Sequence, residues 1–355
     1  MVNPQKVKVY KYKNIAAALA VVLLIAVGIS THGNTVEKDK INKPDTSSSV
    51  ADNEKKKTDT TSQTDEPFKA DKLTKNYKYE SVKNGTSLNN GNLVLINSEY
   101  PFTGAIGDTD GVYSYLFDKS GEQIMYATST LISGDSEMLD SFNEMGCDFT
   151  KETGLKTLMV TALLSEGEDA SDTDENACGR AVDLALYDAV NGTYPEFTVE
   201  GDYAWISQNC WKYGFIYRYP AEKSDVTGVS GKINHFRYVG VPYAEIMHNS
   251  GETLEEFLED VKKYSFESPM SFESESGTGY AVYYVRGDID QTTTNIPVPL
   301  KEDNSEYYYS VSGNNYDGYV VFVNLTDEIT VIPEKTDDTS VTDESSSETS
   351  DENYY

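Results

Sequence analysis

The stretch DENACGRAVDLAL (174–186) runs from a polar turn into an apolar strand pattern and carries one carboxylate, Asp183, within the pattern. A second stretch, KINHFRYVGVPYAEI (232–246), carries His235. A carboxylate and an imidazole are the beginnings of a zinc site, where three good protein ligands and one open position let the ion acidify a bound water for attack on a polarised carbonyl. The chain has only three histidines, His32, His235 and His248, with His32 beside the apolar N-terminal run, so no second histidine close in sequence offers a third ligand. Asn176 offers only a neutral amide oxygen, a weak donor for a metal that prefers imidazole, thiolate or carboxylate. Cys178 could present a thiolate if the turn shifted, or be a small buried thiol. The acidic run SEGEDASDTDE (165–175) could supply a carboxylate base, bind calcium or be a solvated loop; it lacks the spacing of an EF-hand loop. Lys232 is protonated near neutral pH unless buried, which disqualifies it as a general base. Its ammonium could pair with Asp183 or point into solvent.

These residues need a scaffold. NLVLINSEYPF (92–102) reads as a strand running into a loop ended by proline. Residues 135–154 place Met138, Leu139, Phe142 and Met145 at helical spacing, with Gly154 as the stop. LKTLMVTALL then reads as a buried strand and RAVDLALYDAV as a second one entering the site. DYAWISQNCWKYG predicts a helix with Trp205, Ile206, Cys210 and Tyr213 inward and Gly214 as stop. GETLEEFLEDVKKY (251–264) predicts an amphipathic helix with Leu254, Phe257, Leu258 and Val261 on one side and acids in its first turn, where the helix dipole favours them. After about Ser265, GYAVYYVRG, NSEYYYSVSG and GYVVFVNLTDEITVIP read as short antiparallel strands between Gly, Asn and Asp turns. Their tyrosines suit either a half-buried strand face or carbohydrate stacking.

The chain has 355 residues and a formal net charge of -30, a field that repels phosphate backbones and excludes nucleic acid as a partner. Lysines precede the apolar run Ile15 to Ile29, and no charge follows before residue 34, so the pattern fits a signal-anchor with the N-terminus in the cytoplasm; a cleaved signal peptide is the alternative. Residues 34–75 and 334–355 are polar and of low complexity, the composition of disordered segments. Cys147, Cys178 and Cys210 permit at most one intramolecular disulfide, so the fold must rest on its core.

Three segments, NACGRAVDLAL, WKYGFIYRYPAEKSDVTG and KINHFRYVGVPYAEI, in this order and over about residues 90–264, resemble the VanY-type zinc D-alanyl-D-alanine carboxypeptidases, which trim the terminal D-alanine of peptidoglycan stem peptides. The family's motifs are Ser-x-His-x-x-Gly-x-Ala-x-Asp, Gly-Phe-Ile-x-Arg-Tyr-Pro, and Glu-Pro-Trp-His followed by Tyr/Phe-Arg-Tyr-Val-Gly. The resemblance places Asp183 and His235 at two zinc ligands and Asn176 at the first histidine ligand. It also puts Asp174 at the serine, Lys232 at the general-base glutamate, Asn234 at the tryptophan and Leu164 at the substrate-binding arginine. It implies an α+β fold of the Hedgehog and DD-peptidase type, with zinc held weakly or not at all here.

The resulting expectation is a cytoplasmic basic segment (1–14), a transmembrane anchor (15–33), a linker (34–75), a carboxypeptidase-like domain (76–265), a small β module (266–333) and an acidic tail (334–355). The partners expected are peptidoglycan or its stem peptides, and the membrane through the N-terminal helix; the location is the cell membrane with the domains outside, or secretion after signal cleavage. Three functions stay open: an inactive or weakened relative of the peptidase, a working zinc peptidase with a rearranged ligand set, and a structural surface protein without a pocket ligand.

Overall fold

The computed structural model describes residues 73, 76–164, 171–288 and 290–326. The expected basic segment, anchor and acidic tail lie outside these residues, as do the linker apart from Leu73 and part of the acidic run, 165–170. No helix among the described residues is long and apolar enough to cross a membrane.

The strands in chain order are β1 (Tyr77–Lys83), β2 (Thr109–Gly111), β3 (Tyr126–Ala127), β4 (Ser133–Asp135), β5 (Leu158–Ala162), β6 (Ala181–Leu186), β7 (Phe215–Tyr217), β8 (His235–Tyr238), β9 (Met270–Glu273), β10 (Gly279–Arg286), β11 (Thr293–Pro299), β12 (Tyr308–Gly313) and β13 (Gly318–Asn324). The helices of six residues or more are α1 (Ser136–Thr153), α2 (Ala204–Asn209), α3 (Val241–Ser250) and α4 (Leu254–Asp260).

The helix expected at 135–154 forms as α1. Asp135 caps it by accepting from the Met138 amide, and Gly154 ends it in the left-handed conformation that glycine adopts freely. Its stripe of Met138, Leu139, Phe142, Met145 and Phe149 is buried against a five-stranded sheet of order β3-β5-β6-β8-β7. Both expected strands at 158–162 and 181–186 are in that sheet, antiparallel to each other. The helix expected at 202–213 is split into a 3-10 turn, α2 and a second 3-10 turn. Ser207 donates its hydroxyl to the Ala204 carbonyl and Asn209 its amide to that of Trp205, the local competition that shortens helices. Thr253 and Glu256 form a reciprocal capping box at the start of α4.

Residues 92–96 are not a strand, contrary to the sequence reading. Leu93, Val94, Leu95 and Ile96 are buried, but their backbone finds no ladder. The Leu93 amide donates to Ser312 Oγ, the Leu95 amide to the Asn314 carbonyl, and Arg237 donates to the carbonyls of Asn92 and Val94. Leu93 and Leu95 join one hydrophobic cluster while Val94 and Ile96 join another, so the segment is a filler between layers.

The C-terminal strands form the expected antiparallel module, with order β12-β13-β10-β9. Strand β1, which the sequence reading did not mark, pairs with β11, Tyr77 opposite Pro299 and Lys83 opposite Thr293. Strand alternation explains the layering. Ala281, Tyr283, Tyr319, Val321 and Val323 face β11, whereas Tyr280, Val282, Val320 and Phe322 face α3 and α4. Tyr280, Tyr283 and Tyr319 are therefore buried core residues and present no stacking surface. Because Tyr243, Phe257 and Phe322 share one cluster, module and domain share a core. Phe257→Ala is expected to lower stability by about 3–5 kcal/mol in a single transition monitored by urea unfolding; separate transitions for module and domain would contradict a shared core.

Candidate active site

The register of β6 against β8 sets Asp183 opposite His235 and Ala181 opposite Arg237. On β6, Val182, Leu184 and Leu186 pack into the core with α1, as do Phe236 and Tyr238 on β8; alternation leaves Asp183, His235 and Arg237 on the other face. The turn before β6 is a 3-10 helix, Glu175–Cys178. Asp174 caps it by accepting from the Asn176 amide, and Gly179 closes it at φ 71°. At Gly179 a side chain would combine that left-handed backbone with a Cβ 3.3 Å from Ile106, which accounts for the glycine.

This turn aims Glu175 inward. His235 is hydrogen-bonded through Nδ1 to Asp183 Oδ1 at 2.5 Å and through Nε2 to Glu175 Oε2 at 3.2 Å. The other oxygen of Glu175 accepts from Arg218 Nε at 2.7 Å and lies 3.5 Å from Arg237 Nη1. Arg218, which follows β7, donates twice more, to both oxygens of Glu255 in the first turn of α4. Tyr219 stacks on the His235 ring at 5.2 Å. Glu175, Arg218, His235 and Arg237 are all buried. Burial alone would raise the Glu175 carboxyl, but Arg218, Arg237 and His235 overcome it and hold it below the usual carboxylate range. For His235, burial works against the charged ring, yet its hydrogen bonds to Asp183 and Glu175 raise it above the ordinary imidazole value.

The remaining residues singled out by sequence lie around this cluster. Lys232 Nζ stands 3.7 Å from Asp183 Oδ1 and 4.0 Å from Asp174 Oδ1. Asn176 is buried, and neither its Oδ1 nor its Nδ2 has a hydrogen-bond partner. Cys178 donates its thiol to the Glu175 carbonyl within the turn, and all three cysteines are free thiols. Asn234 donates to the Leu184 carbonyl, tying β8 to β6. The backbone amide of Leu164 bonds to Ser133.

The VanY family model, described as D-alanyl-D-alanine carboxypeptidase, matches residues 168–241. A D-alanyl-D-alanine carboxypeptidase of Enterococcus faecium is 31% identical over 245 residues, 66% of this chain and 75% of that protein. The chain belongs to the VanY D-alanyl-D-alanine carboxypeptidase family. A second such carboxypeptidase, from Enterococcus faecalis (strain ATCC 700802 / V583), is 39% identical over 90 residues, 25% of this chain and 31% of that one. The vancomycin-resistance D,D-dipeptidase VanXYg, solved in complex with a D-Ala-D-Ala phosphinate analog, shares the fold with a TM-score of 0.56 at 24% identity, covering 70% of this chain and 99% of that one.

The family implies zinc, and the residues present do not fit a catalytic ion. His235 sets Nδ1 beside Asp183 and bonds Glu175 through Nε2, an arrangement a ligating histidine also shows, but Asn176 supplies an amide where a third strong ligand is needed, and Lys232 brings a positive charge to Asp183. Among the described residues no group of three or more His, Cys, Asp or Glu side chains is arranged to hold a metal ion.

Sequence reasoning treated Glu175 as the end of an acidic loop and Arg218 and Arg237 as letters of a motif. A usable signal existed: arginines inside the aromatic strings FIYRYP and HFRYVG occupy strand positions, and a buried guanidinium requires a carboxylate. Removing the central carboxylate tests this. Glu175→Gln is expected to cost about 3–5 kcal/mol at neutral pH, because it leaves buried charges unpaired. The pH dependence has a definite sign. Glu175, lowered in the fold, stabilises fully above its unfolded value of ~4.3 and this is lost as pH falls through the folded one. His235, raised in the fold, stabilises fully below ~6.5 and this is lost as pH rises through its folded value. Urea stability of the wild type should peak between these limits, and Glu175→Gln should flatten the acid side.

Proposed function

We propose that this chain is an extracytoplasmic cell-wall protein whose VanY-type domain has lost, or all but lost, hydrolysis of the D-Ala-D-Ala bond and retains recognition of peptidoglycan. Its location follows from the N-terminal sequence pattern, with the anchor at residues 15–33 holding the domains outside the cell. The observation that carries the reading is the pair of departures around Asp183 and His235: Asn176, a buried and unpartnered amide, and Lys232, an ammonium 3.7 Å from Asp183 Oδ1. A hydrolytic site needs a group that accepts a proton near neutrality and an electrophile that polarises the carbonyl. Lys232 is a cation beside Asp183, and the buried Asn176 amide is unpartnered. An unpartnered buried amide costs stability, which suits a position left behind by a former function. Leu164, an apolar side chain, gives a peptide carboxylate no charge to hold, so recognition draws on other parts of the wall polymer.

The purified full chain, loaded with zinc and incubated with a stem pentapeptide, is expected to release no D-alanine while sedimenting with isolated cell wall. Release at a rate typical of enzymes, about 1 s⁻¹ or faster, would establish a working peptidase with a rearranged ligand set; absence of both activities would leave a structural surface protein. Asn176→His combined with Lys232→Glu tests the site alignment: D-alanine release would confirm it, whereas a folded but inert variant would show that the pocket has drifted further, as Leu164 suggests.

A further inference from the structure

We propose that the Lys232 ammonium is the resident cation of this site and takes the electrostatic place of a metal ion, making the fold of the domain independent of metal. The inference rests on the functional reading above and adds a role for one side chain. Asp183 projects from β6 into a face that already contains Glu175 and borders Asp174. Three carboxylates there face His235, Arg218, Arg237 and Lys232 from three separate segments. Arg218 is committed to Glu175 and Glu255, and Arg237 to Glu175 and to carbonyls of residues 92, 94 and 238. Neither guanidinium pairs with Asp183. Its charge is answered by His235 at 2.5 Å and by Lys232 at 3.7 Å.

Position supports the same conclusion. Lys232 lies three residues before His235, so its ammonium reaches Asp183 from the entrance to β8, and it also spans to Asp174, the cap of the turn that carries Glu175. One side chain thereby connects the turn, β6 and β8, the connection that a metal ligated from those segments would make. The Lys232 side chain is 32% exposed and that of Asp183 16%, so the pair sits at the mouth of the cluster with the His235 bridge beneath it. Lys232→Glu would remove one positive charge from that mouth and add one negative, a net change equal to the charge of a divalent ion.

A double-mutant cycle on the full chain tests the proposal. Lys232→Met keeps the aliphatic stem and removes the charge, Asp183→Asn keeps the shape and removes the carboxylate, and thermal unfolding is followed for each and for both together. Lys232→Met is expected to lower the melting temperature by about 2–4 °C, Lys232→Arg to stay within about 1 °C of wild type, and the double variant to lose less than the sum of the single losses. Additive losses, or a Lys232→Met variant that melts with the wild type, overturn the proposal. A parallel wild-type melt with zinc chloride and with a chelator separates the two readings. No shift in either is expected; a zinc-dependent rise would overturn the functional reading itself, whereas additive losses without any zinc effect would remove only the role of Lys232.

Discussion

The buried carboxylate of Glu175 is the constraint on which the site depends. A charged group in the interior is tolerated only when paired and hydrogen-bonded, and Glu175 draws three partners from two segments: Arg218 after β7, and His235 and Arg237 on β8. Arg218 in turn requires Glu255, which fixes the first turn of α4, and Arg237 fixes the irregular segment 92–94. The β module packs on α3 and α4 through the cluster that includes Phe257 and Phe322. The chain of contacts from Glu175 to the module is thus continuous, and the position of the module follows from the charge cluster as well as from its own core.

That dependence explains why the turn at 174–179 keeps its glycine although Asn176 and Lys232 depart from a zinc set. Gly179 in its left-handed conformation aims Glu175 inward, and β6 then delivers Asp183 opposite His235 through strand register alone. Asp183 and His235 share one face, and their side chains answer one another directly. Repulsion among carboxylates gathered on one buried face is strong in low dielectric. His235, in contact with Asp183 and Glu175, and Lys232, in contact with Asp183 and Asp174, offset it.

Much of the fold was legible in the sequence where one rule acts alone. The stripe of α1 and the stop at Gly154 follow from helical periodicity, and the alternation of β6 follows from the strand pleat. Residues 92–96 defeated the same rules, because an apolar run buried between layers reads as a strand whether or not a neighbour completes its ladder. The site was legible in part. Asp183, His235, Asn176 and Lys232 could be named because each stands in a recognisable motif; Asp183, His235 and Lys232 come together through the β6–β8 register, and Asn176 stays buried on the turn before β6. Glu175 could not be separated from the acidic residues before it, since its burial is a consequence of the tertiary pairing with Arg218 and not of local pattern.

The central claim is that Asp183 and His235 are held by side-chain charges and not by a metal. Diffraction from crystals grown with zinc, recorded on both sides of the zinc absorption edge, tests it most directly. The account predicts no anomalous peak between Asp183 and His235, with the imidazole still bridging Asp183 and Glu175. A peak at full occupancy bonded to both residues would contradict it.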